Sequence, residues 1–367
     1  LMNYKEVTAD SALTTYPHVD GGWSWARYFI DPYVGCQYGA TFGHKWDPEA
    51  ELLDESDGQK QIPTVTTNAV ELFKKEIKNK RKDIIHIGSW QEVERKYRIS
   101  RELLQHCLEI GFPIFALETS NIVLDEIDLI KEISEESFAN VAFSAMAAPN
   151  YAGHQQIHFF DAFSPSSASR FHAMEKLASR GITTGLVFTP ILPYIFDSDE
   201  NIEKLCRITR DSGGSYILAM PLMLDQHRKE QYYRTLRKHF TDVINKYTQL
   251  YSGNPLPHER YTVSLMEKIA HYANEYELEL HAPRYIEPGE KEMNMRVAER
   301  LFNQAREIEF LGKDKTRSAN YKRIAEFIDE LNYDIKTVYD SMGIEGIKKF
   351  KGVGSVIADE IELVLKT

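Results

Sequence analysis

The chain has 367 residues, 43% of them apolar, with 44 Lys/Arg against 55 Asp/Glu for a formal net charge of −11. That length and apolar content suffice for one large packed domain, or one large and one small, and the acidic balance argues against a generic polyanion binder while leaving room for a local basic patch. Three cysteines, odd in number and widely spaced, argue against a disulfide framework and point to a reducing, cytoplasmic setting, and no apolar run approaches membrane-spanning length.

Residues 1–35 are mixed and aromatic and lead into a loop around Cys36. After the acidic stretch Glu49 to Gln61, the pattern predicts a helix over 67–80 and a short buried strand over 83–88. Apolar residues at helical spacing predict a helix over 92–110, closed by Gly111. Strands follow at 113–117, 140–146, 183–188 and 216–222, alternating with helices at 125–133, 167–180 and 199–211. Short apolar strands between helices imply parallel β/α units, and about six of them predict a partial (β/α)6 barrel rather than an open doubly wound sheet. No glycine-rich phosphate loop opens the first helix. Longer helices are predicted over 228–251, 259–276 and 290–310, with a short strand at 277–281. The charged segment Gly312 to Ser318 reads as a linker into a C-terminal helical module. The expected division is 1–285 as barrel with its N-terminal leader, 286–318 as helical connector and linker, and 319–367 as a small helical domain.

The chemistry concentrates in Asp31-Pro32-Tyr33-Val34-Gly35-Cys36 and the residues that follow to Trp46. This stretch resembles the iron–sulfur loop of radical S-adenosylmethionine (SAM) enzymes, specifically the spore photoproduct lyase-like group, with its pattern Asn-Pro-Tyr-x-Gly-Cys-x-x-x-Cys-x-x-Cys. The match holds through Cys36, but Ala40 and Gly43 stand at the second and third cysteine positions. A 4Fe–4S cluster held by three thiolates leaves one iron open for SAM, and neither Ala nor Gly can donate to iron. The resemblance continues through Gln91 to Arg101, Glu118-Thr119-Ser120, Val123 to Ile130, Ser164 to Arg170 and Thr189 to Pro193, covering roughly residues 5–285. Thr119 stands where the group has Lys, Asp125 where it has Arg, and Asp161-Ala162 where it has Glu-Pro. The resemblance therefore implies a radical-SAM-like fold with a vestigial cluster loop at Cys36, Ala40 and Gly43. It further implies a vestigial cofactor pocket at Thr119, Ser120, Ser144 and Asp161. 4Fe–4S and SAM belong to the ancestral group, and this chain as written is expected to hold neither, nor any other metal. An active lyase, its cysteines restored, is the competing reading.

Other candidates have plainer explanations beside them. Cys36 with His44 falls short of a metal site, and Cys107 and Cys206 lie on apolar helix faces as core residues. His154, His158 and His172 read as scattered surface histidines. Trp23, Trp25, Tyr28, Phe29 and Tyr33 are either a stacking platform for a base or packing across the barrel mouth. Arg27, Lys45, Arg95, Lys96, Arg98 and Arg101 place positive charge around that predicted mouth, which suits an anionic ligand.

At the C-terminus, Phe350-Lys351-Gly352-Val353-Gly354-Ser355-Val356-Ile357-Ala358 resembles the hairpin of helix-hairpin-helix domains, and Asn320 to Thr367 resembles the small helical domain of family X DNA polymerases. The glycines allow a tight turn, and N–H groups at the next helix's N-terminus can face a phosphate. The stretch from Gly312 onward carries ten Lys/Arg and ten Asp/Glu, so the acidic excess lies elsewhere. The expected DNA contacts are Lys348, Lys349, Lys351, Gly352, Gly354 and Ser355, without base specificity. A hairpin kept for helix packing, in a scaffold that binds a protein partner, is the alternative.

Overall fold

A computed structural model describes residues 4–38, 62–88, 90–161, 163–310, 312 and 314–367, with no side-chain account of 226–228. Ala40, Gly43, His44, Lys45 and Ala162 lie outside the described residues.

The chain runs β1 (Lys5–Val7), β2 (Leu13–Thr15), β3 (Ala26–Ile30), β4 (Tyr33–Val34), β5 (Thr64–Thr66), α1 (Ala69–Glu76) and β6 (Ile84–Ile87). It continues through α2 (Glu94–Tyr97), α3 (Ile99–Ile110), β7 (Ile114–Glu118), α4 (Ile127–Glu136), β8 (Ala139–Ser144), α5 (Ser167–Ala178), β9 (Thr183–Ile191), α6 (Asp199–Asp211) and β10 (Ile217–Pro221). Helices then dominate: α7 (Gln226–His239), α8 (Ile244–Leu250), α9 (Glu259–Glu275), α10 (Glu292–Phe310), α11 (Lys315–Asp329), α12 (Ile335–Lys348) and α13 (Ser355–Leu365). The main sheet has the order β10-β9-β8-β7-β6-β3-β2. Every neighbouring pair from β10 to β3 is parallel, and β2 closes the edge antiparallel to β3.

Alternation along the strands sets the layers. Ile85, Ile87, Ile114, Ala116, Val141, Phe143, Leu186 and Phe188 join residues of α1, α3, α5, α6 and α9 in one core cluster. Ala26, Ile84, Phe115, Ala142, Val187 and Leu218 belong to a second cluster, shared with α10 to α13. A third gathers Phe160, Phe196, Tyr232, Leu236, Tyr247 and Tyr251 around α7 and α8. Cys107 and Cys206 are buried in the first cluster, as their helical spacing predicts.

Several elements differ from the sequence reading. The helix expected over 92–110 breaks at Arg98, whose φ of 54° separates α2 from α3. The helix expected over 228–251 ends at His239, because Phe240 leaves helical geometry at φ −139° and ψ 51°. The strand expected at 277–281 is a single bridge, Tyr216 to Glu279, preceded by a left-handed Glu277. The helix expected over 290–310, by contrast, is present as α10, which packs along α11 and against α13.

Candidate functional site

The Cys36 loop leaves the C-terminal end of β3 and is knitted to the segment after β6. Gln91 Nε2 donates to the Gly35 carbonyl at 2.9 Å, and the Gln37 N–H donates to Gln91 Oε1 at 2.9 Å. The Tyr33 hydroxyl donates to Glu94 and accepts the Ile99 N–H at 3.1 Å. Glu94 also accepts the N–H groups of Ser100 at 3.0 Å and Arg101 at 3.2 Å, so one buried carboxylate caps α3 and anchors the loop. Burial pushes the Glu94 carboxyl above its ordinary value, against the pull of those donors. Gly88 is required: a Cβ there would lie 2.4 Å from the Asp31 carboxyl carbon.

The neighbouring strand ends complete a polar rim. The Trp90 N–H donates to Glu118 Oε1 at 3.0 Å, and Ser120 Oγ donates to the Trp90 carbonyl at 3.4 Å. Ser120 and Glu118 are buried, and Thr119 between them is half-buried. Ser144 ends β8, with its hydroxyl donating to the Thr189 carbonyl at 3.1 Å. Arg170 joins Ser144 to Asp161: Nη1 donates to the Ser144 carbonyl at 2.7 Å, and Nη2 to Asp161 Oδ2 at 3.2 Å. Its Nε is taken by the Pro165 carbonyl at 3.1 Å. Asp161 Oδ1 and Ser164 Oγ are buried without a partner among the described residues, beside a cavity of about 230 Å³ that His154, His158 and Ser167 also line. The structure thus brings Cys36, Thr119, Ser120, Ser144 and Asp161 to one edge of the sheet. Glu118, Gln91 and Arg170 are the additions. Glu118 was within reach of the sequence, as the last residue of a strand beside two polar positions.

A three-thiolate cluster does not fit this loop. Cys36 is 5% exposed, and the positions four and seven residues on are Ala40 and Gly43. The other two thiols are packed in the helix–sheet core, where burial raises the Cys107 pKa and pushes that of Cys206 up to about 12. Among the described residues no group of three His, Cys, Asp or Glu side chains could hold a metal ion.

Among the described residues, the cations expected around this edge are met by carboxylates and rings. Arg27 sits instead at the N-terminal end of β3, buried against Asp83 at 2.9 Å, Asp329 at 3.3 Å and Glu330 at 2.6 Å. Arg95 pairs with Glu92 and Asp125, and Arg98 and Arg101 both pair with Glu126. Lys96 lies over the Tyr4 and Tyr97 rings. Trp25, Tyr28 and Tyr33 are buried packing residues, which favours the packing explanation for these three aromatics.

In the C-terminal helices, Lys349 to Gly354 turn between α12 and α13. Ile347, Val353, Ile357, Ala358 and Ile361 are buried together beneath the turn. Gly352 has φ 89°, and a Cβ on it would meet the Arg323 guanidinium at 2.0 Å. Asn320 Nδ2 donates to the Gly352 carbonyl at 3.3 Å, and Arg323 Nη2 to the Lys351 carbonyl at 3.4 Å. Gly354 is the N-cap of α13, with open space around it. Lys349 and Lys351 are exposed, and Lys348 pairs with Glu345 at 2.8 Å. A cavity of about 350 Å³ opens beside the turn, lined by Arg317, Asn320, Tyr321, Gly352, Gly354 and Ser355 among others.

No protein-family model matches the chain. It is 21% identical over 286 residues to an uncharacterized protein of Mycobacterium tuberculosis, covering 76% of this chain and 82% of that one. It is 25% identical over 181 residues to an uncharacterized protein of Methanocaldococcus jannaschii, covering 47% of this chain and 63% of that one. Among solved structures, spore photoproduct lyase complexed with dinucleoside spore photoproduct matches with a TM-score of 0.50 at 14% identity, over 74% of this chain and 78% of that one. A variant of the same lyase, with bound AdoMet and the dinucleoside photoproduct, matches with a TM-score of 0.50 at 14% identity over 71% and 77%. At such identities the likeness carries the fold alone: this chain has an α/β fold of the kind seen in spore photoproduct lyase.

Proposed function

We propose that this chain is a degenerate radical-SAM-like protein that has lost radical chemistry and binds nucleic acid, in a DNA repair or processing setting, through a C-terminal helix-hairpin-helix module. In this reading the six parallel strands form a partial (β/α)6 barrel. The observation that carries the loss is the loop itself: Cys36 is kept, and Ala40 and Gly43 stand where two more thiolates are needed. Support comes from the rim as well. Arg170 already gives Nε, Nη1 and Nη2 to Pro165, Ser144 and Asp161, so its charge is matched by a carboxylate of this chain. The nucleic-acid half rests on the turn. Gly354 leaves the first N–H groups of α13 open to an anion, and Lys349 and Lys351 are exposed beside it.

Iron and sulfide analysis after anaerobic purification tests the loss. The expected protein is colourless and iron-free, whereas about four irons per chain would return it to the enzymes. An Ala40→Cys, Gly43→Cys variant serves as the positive control and is expected to gain iron. Fluorescence anisotropy with labelled DNA tests the other half. Affinity on the order of micromolar, falling with salt and indifferent to sequence, is expected, and Lys351→Glu is expected to weaken it. Binding that ignores Lys351→Glu would make the turn a packing element.

A further inference from the structure

The acidic excess of the chain conceals one strongly basic surface away from the C-terminal turn. Residues 226–251, spanning α7 and α8, carry six Lys/Arg against two Asp/Glu in a chain whose overall charge is −11. Helix geometry sorts them. Tyr232, Leu236 and Phe240 face the core, and Arg234, Arg237 and Lys238 are exposed on the far side. Arg237 pairs with Glu230 at 2.7 Å, while Arg234 and Lys238 have no ion-pair partner among the described residues. Lys229 reaches over the Tyr233 ring at 6.0 Å, and Lys246 of α8 lies 5.2 Å from the centre of the Tyr194 ring. Unpaired cations on a solvated helix are common, and alone they name no ligand.

The second observation is Tyr194. It follows β9 with φ 62°, a left-handed conformation that a bulky residue adopts at a cost. Tyr194 is 42% exposed, with the Tyr247 and Tyr261 rings each 6.0 Å away as supports. Tyr247 is itself fixed, its hydroxyl bonded to that of Tyr232 at 2.7 Å and donating to the Pro193 carbonyl at 2.8 Å. An outward aromatic ring with a lysine beside it is the arrangement that stacks an unpaired base while cations further along the surface hold its phosphates.

We infer that the α7–α8 surface with Tyr194 at its border binds single-stranded nucleic acid, a base on the Tyr194 ring and phosphates on Arg234, Lys238 and Lys246. This rests on the reading that the chain binds nucleic acid, and adds to it a second contact surface on a different part of the fold. Duplex is the poorer ligand here, because its bases are already stacked on one another.

The test is fluorescence anisotropy of the full chain with a labelled oligothymidylate of about twenty nucleotides, and with a duplex of the same length. The triple variant Arg234→Glu, Lys238→Glu, Lys246→Glu is expected to weaken single-strand binding by at least about tenfold and to flatten the salt slope by about 2. Tyr194→Ala is expected to weaken single-strand binding by roughly fivefold to a hundredfold, leave duplex binding unchanged, and be rescued by Tyr194→Phe. All four side chains are exposed, so thermal melting is expected to show each variant folded. If the triple variant binds as the parent does while Lys351→Glu abolishes binding, this surface is refuted and the hairpin reading stands. Loss in the triple variant with no effect of Lys351→Glu supports this surface and refutes the hairpin. No binding by the parent chain refutes both.

Discussion

Glu94 shows how much of the Cys36 loop depends on one side chain. Three donors converge on its two oxygens: the Tyr33 hydroxyl and the N–H groups of Ser100 and Arg101. A glutamine has the same shape but only one acceptor oxygen, and its amide N–H would point at a donor. Glu94→Gln is therefore expected to cost about 1–3 kcal/mol in chemical denaturation, the usual penalty for a buried donor left unpaired. A variant as stable as the parent would mean that water, not Glu94, serves those donors. Little of this was legible in the sequence. The motif around Cys36 announces a loop, but the carboxylate that fixes it lies 58 residues further on, and only the fold brings the two together. Arg27 carries the same lesson. Its position among aromatic residues suggested a place near the loop, yet it lies at the start of β3 and meets Asp83 and Asp329 there.

At the scale of elements, periodicity was a good guide to where helices run and a poor one to where they break. The strands and helices between Ile84 and Pro221 follow the predicted alternation because buried parallel strands are short apolar runs and their helices are amphipathic. The break at Arg98 carries no Gly or Pro to mark it, since Glu94 supplies the cap for α3 from seven residues away at most. In α12 the break is glycine's. Gly343 has φ 62° and ψ −158°, a region essentially closed to other residues, and, its own turn of backbone aside, no atom of the described residues lies within 4 Å of where its Cβ would be. Gly343→Ala thus tests backbone strain without a clash, and is expected to lower stability by about 1–3 kcal/mol. Gly354 is the contrast, with ordinary φ −82° at the N-cap of α13 and the same open surroundings. Gly354→Ser is expected to keep or slightly raise the melting temperature, since Ser is a good N-cap. It should weaken DNA binding nonetheless, by putting a side chain where a phosphate approaches. Unchanged DNA affinity would move the phosphate away from this helix end.

Across the whole molecule, the C-terminal helices are joined to the sheet through buried charge as well as apolar packing. Asp329, 1% exposed at the end of α11, receives Arg284 at 2.6 Å, Arg27 at 3.3 Å and Arg81 at 3.5 Å. Asp83 and Glu330 add two more carboxylates to the same cluster. Beside it, Trp25 Nε1 donates to the Ala282 carbonyl at 2.7 Å, its ring edge-to-face with Phe302 and beneath the Arg284 guanidinium. Such a cluster is weak evidence of net stabilisation, because desolvation offsets much of the attraction. Removing one member is another matter, since it strands the rest in a dry site. Asp329→Asn is expected to cost about 3–5 kcal/mol, with little dependence on salt because buried pairs are poorly screened. Arg284 has Asp329 as its closest carboxylate, so adding Arg284→Met to Asp329→Asn should recover part of the loss. If the double variant is instead less stable than Asp329→Asn alone, Arg284 is held by its aromatic and backbone contacts. The junction is then an apolar interface that happens to contain ions, and the α11 end would dock on the sheet without them.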